Sequence, residues 1–235
     1  MTPPGRVEPR VKVIAVGGTA EEPGTRRERN PRGQGDRLRA DVIAAMVRIV
    51  SDEERMRPVS VSLRELAREA GVTAPALYRH FSGTLEVARA VVLDGFERLL
   101  AEMEAADREA GDSSAAGRLA AQARAYCRFA VRDRGHFRLM FQAEPAMLGI
   151  GDESREPLAE LVQRWRTATA RLREDGLSFA DTEHAAMYIW SALHGRLALT
   201  PVISTVWAGE DVERFVDLLV GEITTAARHA GPAKH

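Results

Sequence analysis

From Asp36 onward, apolar residues recur at three- and four-residue spacing, the period of a helix with one buried face. Leu38, Val42, Ala45, Met46, Ile49 and Val50 make the first such run, and Pro58 closes it. A second helix is predicted to start at Ser62, where Ser62-Leu63-Arg64-Glu65 has the form of a capping box, and to end at Gly71. A short third helix follows from Thr73, a plausible N-cap, to about His80, with Pro75 in its first turn. A fourth runs from Thr84 to Asp107 along Val87, Val91, Phe96, Leu99, Leu100 and Met103. Further helices are predicted near Gly117–Arg134, His136–Gln142, Glu156–Asp175, Asp181–Thr200 and Asp211–His229. Their joints hold turn-forming residues, such as Gly111-Asp112-Ser113-Ser114, Asp175-Gly176 and Pro201. No segment alternates with period two for long enough to form a sheet, so the expected class is all-α.

Composition narrows the function. With 235 residues, 45% of them hydrophobic and 29% charged, the chain is expected to form one or two domains with a real core. No stretch approaches the ~18 uninterrupted apolar residues of a membrane span. A single cysteine, Cys127, excludes an internal disulfide framework and a Cys-rich zinc module. No secretory signal is visible, so the expected location is the cytoplasm. The first 82 residues carry 15 Lys+Arg against 11 Asp+Glu, and the remainder 18 against 23. A basic first third points weakly to a polyanion partner.

Residues 1–32 are expected to be a disordered, Arg-rich tail, dense in proline, glycine and mixed charge. Val11 to Val16 followed by Gly17-Gly18 has the look of a nucleotide-site strand. It lacks the third glycine and the helix such a site needs. Arg26, Arg27, Arg29 and Arg32 can rest on DNA phosphates or serve only as a solvated linker.

The strongest signal is SLRELAREAGVTAPALYRHF, from Ser62 to Phe81. A helix, a tight turn at Gly71 and a second helix make the helix-turn-helix plan. Leu66, Val72, Leu77 and Phe81 are spaced to meet in one small core, and Gly71 tolerates a positive φ. Such a unit places its second helix in a major groove, N-terminal residues toward the base edges. Ser62 and Thr73 sit at helix N-termini, where hydroxyl and backbone amides meet phosphate. Ala74, Pro75, Ala76 and Arg79 face the groove or its edge. Arg79 is the one long forked donor and the candidate to read a guanine; contact to a phosphate or to solvent alone is the alternative.

AGVTAPALYRHF also closely resembles the DNA-binding segment of the TetR family of bacterial transcriptional regulators. The resemblance rests on Ala70, Gly71, Val72, Leu77, Tyr78, Arg79, His80 and Phe81. It implies an N-terminal three-helix helix-turn-helix domain at 33–82 and a helical regulatory and dimerisation domain at 83–235. It also implies that Tyr78 and His80 hold DNA phosphates; for His80 the alternative is capping its own short helix. The family usually has a lysine at the start of the fourth helix, and this chain has Gly83-Thr84. Thr84 is expected to cap the helix and donate to a phosphate without bringing charge.

In the second domain, Trp190-x-x-x-His194-Gly195 resembles the WHG class of TetR-type regulatory domains. Trp190 and His194 share one helix face. With Phe137, Met140, Phe141, Trp165 and Met187 they are candidates to line a pocket for a small, mostly apolar effector. Ordinary core is the plainer reading for each, and a satisfied core histidine for His194. The last two helices, with Val212, Phe215, Val216, Leu219 and Ile223 on one stripe, are the expected homodimer surface. Two-fold symmetry would then call for a palindromic operator on double-stranded DNA. The expected function is a repressor released by its ligand, with an activator of the same family as the variant reading. A helical protein-binding adaptor without DNA binding is the rival class. No Gly-x-Ser-x-Gly elbow, no phosphate-binding Gly-Lys-Ser/Thr loop and no His-Glu-x-x-His pair occurs, so no catalytic residue, metal ligand or cofactor is expected.

Overall fold

The structure is a computed structural model that describes residues 34–51, 61–141, 155–176, 182–203 and 211–229. Regular structure among the described residues is entirely helical, as the spacing predicts. The helices are α1 (Gln34–Ser51), α2 (Leu63–Ala70), α3 (Ala74–Tyr78), α4 (Thr84–Glu109), α5 (Ala115–Arg132), α6 (Arg134–Phe141), α7 (Arg155–Glu174), α8 (Thr182–Ile203) and α9 (Val212–His229). The predicted tail at 1–32, its arginine cluster and the Val11–Val16 run lie outside the described residues, as does Pro58. Helix α8 continues past the expected stop at Pro201 to Ile203; so close to a helix end, the missing N–H forfeits a single bond. No helix among the described residues is long and apolar enough to cross a membrane.

The helices divide between two compact units. The first holds α1, α2, α3, α4 as far as Gly95, and α6. Val42, Met46, Leu66, Leu77 and Val91 are fully buried there, and Phe81 nearly so. Each such side chain contributes ~1.5–3 kcal/mol by leaving water. The presence of α6 has a local cause. A Cβ on Gly135 would stand 2.6 Å from both the Val47 carbonyl oxygen and the Ser51 hydroxyl, so only glycine lets α6 lie against the α1 backbone. Arg138 Nη1 then donates to the Val50 carbonyl at 2.8 Å, satisfying one of the acceptors left open at the α1 C-terminus. Buried His136 meets Asp94 of α4 at 2.9 Å.

The second unit holds α4 from Phe96, with α5, α7, α8 and α9. Its polar centre is Asp107. Arg118 of α5 reaches that carboxylate bidentately at 3.0 and 2.6 Å, Arg171 of α7 at 3.0 and 3.1 Å, and Gln122 of α5 at 3.1 Å. The bond from Arg118, then those from Arg171, hold the Asp107 carboxyl below its ordinary range against the opposing effect of burial. The expected division at 82/83 does not coincide with these units. α4 is shared between them, and α6 packs with the N-terminal helices.

Candidate nucleic-acid interface

The helix-turn-helix is built by local chemistry. Ser62 is extended (φ −96°, ψ 152°), and its hydroxyl accepts from Glu65 N at 3.2 Å, capping α2. Gly71 takes φ 69°, the left-handed conformation that a side chain resists, and ends the helix. Its amide donates to the Arg68 carbonyl, and the Val72 amide to that of Ala67. Thr73 then caps α3, accepting from Ala76 N at 3.4 Å, with proline in the first turn where no amide bond is lost. Arg48 of α1 binds both the Glu69 carboxylate, at 2.6 Å, and the Glu69 carbonyl, at 3.0 Å, near the α2 C-terminus.

Burial sorts α3 into two sides. Leu77 and Phe81 point into the core. Thr73, Pro75, Tyr78 and Arg79 are exposed, Tyr78 at 52%, and Ala74, Ala76 and His80 are half-buried. The outward side thus joins small residues, which permit close approach to a surface, to a phenol, a guanidinium and an imidazole. Exposed Ser62 stands at the α2 N-terminus. These eight candidates, Thr73, Ala74, Pro75, Ala76, Tyr78, Arg79, His80 and Ser62, therefore retain outward surface.

Thr84 departs from the expectation. It is 5% exposed, so little of the residue is open to the surface. The α4 N-terminus is instead served by Glu86, whose carboxylate accepts from Ser82 N at 2.7 Å and Ser82 Oγ at 2.9 Å. The Ser82 amide is the main cause that holds Glu86 below the ordinary carboxylate range; the Ser82 hydroxyl, Arg39 and Arg89 add to it, and partial burial opposes it. Serine followed four residues later by glutamate, just before a helix, was the available sequence signal.

The seven effector candidates do not gather in one unit. Phe137, Met140 and Phe141 lie on α6 in the first, where the rings of Phe137 and Phe141 pack 4.9 Å apart. Trp165, Met187, Trp190 and His194 lie in the second. Met187 is 37% exposed and is not part of a buried cluster. The other three converge on a residue absent from the candidate list, Tyr126 of α5. Its ring meets Trp165 edge-on at 5.7 Å, its hydroxyl accepts from Trp190 Nε1 at 3.0 Å, and it lies 2.8 Å from His194 Nδ1. An indole N–H only donates, so the phenol oxygen accepts from Trp190; when the phenol proton points to His194 Nδ1, that nitrogen accepts it. That assignment makes His194 neutral, with its own proton on Nε2. Burial lowers the His194 pKa and raises those of Tyr126 and Cys127, the latter to about 12.

A pH effect follows from His194. Its folded pKa lies below the ordinary imidazole value of about 6.5, so the unfolded chain takes up the proton first on acidification. The neutral state carries no penalty above that value, and stability declines as pH falls from there through the folded pKa. Thermal unfolding from pH 8 to pH 5 is expected to show a shallower acid-side loss in His194→Gln than in the wild type. Equal slopes would contradict the assignment.

Two models of one family match separate stretches that together span more than half of the chain. "Bacterial regulatory proteins, tetR family" matches residues 59–91, and "Tetracyclin repressor-like, C-terminal domain" matches 119–223. The chain is similar to the HTH-type transcriptional activator FasR of Mycolicibacterium smegmatis, 31% identical over 126 residues, which is 53% of this chain and 57% of that protein. The match thus spans just over half the length of that relative. Among solved structures, a protein of unknown function from Rhodococcus sp. RHA1 superposes with a TM-score of 0.69 at 26% identity, over 85% of this chain and 99% of its own. The TetR-family regulator PfmR of Thermus thermophilus does so with 0.60 at 17%, over 78% and 97%. An extended-serine cap, a left-handed glycine and an exposed Tyr78-Arg79 edge are thus joined to two matches from one family: the chain belongs to the TetR family of bacterial regulatory proteins.

Proposed function

We propose that this chain is a homodimeric repressor that holds a palindromic operator and leaves it when a small, mostly apolar ligand binds the C-terminal helices. It acts in the cytoplasm. The observation that carries the reading is the outward side of α3, with Tyr78 and Arg79 exposed while Leu77 and Phe81 anchor the helix from behind. Residues 33–82 bind DNA, Tyr78, His80, Ser62 and Thr73 against phosphates and Arg79 against a base. Residues 83–235 regulate and dimerise. Exposed Tyr188 and Leu199 on α8 and Leu218 on α9 support a second copy seated on these helices. α4, one continuous helix shared by both compact units, is the lever. A ligand that favours the non-binding state must weaken DNA binding by the same factor that DNA weakens ligand binding.

The test is a mobility shift with the DNA flanking the protein's own gene, followed by titration with apolar candidate ligands. Arg79→Ala should relax preference at one base position per half-site by about 1–3 kcal/mol, read by binding to a set of single-base operator variants. An unaltered preference at all positions would remove Arg79 from base reading. The similarity to FasR, named an activator, favours transcriptional activation as the second reading. Transcript levels of the flanking genes after deletion distinguish them: a rise supports repression and a fall activation.

A further inference from the structure

We propose that Arg39 of α1 supplies the phosphate-binding cation at the corner between α3 and α4, where the family's usual lysine is missing. The inference rests on the DNA-binding reading. The chain's only lysines are Lys12 and Lys234, and the described residues near this corner hold their positive charge on arginine. At the α4 N-terminus Thr84 is 5% exposed, and the Glu86 carboxylate already engages the Ser82 amide and hydroxyl. A second negative group arriving there would meet Glu86 at short range.

α1 flanks that corner. A Cβ on Gly35 would lie 3.3 Å from His80 Cε1, so the start of α1 runs beside the end of the recognition segment. Arg39 is four residues on and therefore on the same face of α1. Its guanidinium carbon stands 5.3 Å from the centroid of the Phe81 ring, next in sequence to His80. The side chain is exposed, and its charge acts on Glu86. The guanidinium thus lies over the Phe81 ring at the corner, on an exposed side chain. A phosphate approaching Tyr78 and His80 would find a forked cation there. Arg48, also on α1, is committed to Glu69.

The experiment measures binding of the full-length protein to two duplexes, the DNA flanking its own gene and a scrambled duplex of equal length, over a series of KCl concentrations. Each phosphate neutralised contributes about 0.9 to the slope of log K against log salt. Arg39→Gln removes one phosphate contact from each protomer of the dimer and is expected to make that slope shallower by about 1.8 on both duplexes, while Arg39→Lys keeps it. Glu86→Gln is expected to tighten binding roughly two- to fivefold by removing a negative charge near the phosphate. A wild-type slope in Arg39→Gln overturns the proposal, even where affinity or melting temperature falls, because lost packing over Phe81 does not change the number of ions released. Unaltered affinity in Glu86→Gln overturns the part given to Glu86. Failure of the wild-type protein to bind either duplex would overturn the DNA-binding reading as well.

Discussion

Tyr78→Phe combined with His80→Ala is expected to lower DNA affinity by roughly 30- to 100-fold for each half-site of the dimer. The loss should be nearly equal on the flanking DNA of the protein's own gene and on unrelated duplex. Removing two hydrogen bonds to charged phosphate is worth about 2–3 kcal/mol, and every 1.4 kcal/mol is a factor of ten. The even loss follows from the chemistry, since a phosphate contact carries no base information. Tyr78 is half exposed, so losing its hydroxyl leaves the fold intact. His80 packs near Gly35, and its truncation is controlled by comparing melting temperatures. Unchanged affinity in the folded double variant would remove both residues from the interface.

Tyr126→Phe is expected to destabilise the protein by about 3 kcal/mol, a fall in Tm of roughly 6–12 °C. One oxygen serves two partners: it accepts from Trp190 and shares a hydrogen bond with His194, and the phenol is wholly buried. Deleting it takes a hydrogen-bond partner from the indole and from the imidazole at once, at a wholly buried phenol. Calorimetric or circular-dichroism melting reads the change. A shift of less than about 1 °C would show that the chain of bonds contributes nothing to stability.

The contrast between these two sites shows what the sequence could disclose. Ser62, Gly71 and Thr73 were legible because each acts on amides or carbonyls within a few residues of itself. The inward Leu77 and Phe81 followed from helical spacing, and the outward Tyr78 and Arg79 from the same spacing read on the other side. Thr84 stands apart because a threonine at a helix start suits either a cap or a phosphate donor, and its low exposure is decided by packing rather than by spacing. Tyr126 lies 64 residues from Trp190 and 68 from His194, separations at which no local pattern exists. The helix carrying Phe137, Met140 and Phe141 read as part of the regulatory half for a similar reason. An apolar stripe states that a helix is covered and not by which neighbour. Only Gly135, small at the start of an otherwise bulky helix, hinted at close passage against another backbone.

The placement of α6 has an outcome for how such a protein can diverge. The set of helices that bears the recognition surface is not one uninterrupted stretch of gene, because α5 is encoded between two of its parts. Exchanging the first 95 residues for those of a paralogue would import a new α1 while leaving the native α6 to fit it. Recombination at that point places the incoming α1 against the native α6 and calls for an equally shallow surface at Val47 and Ser51.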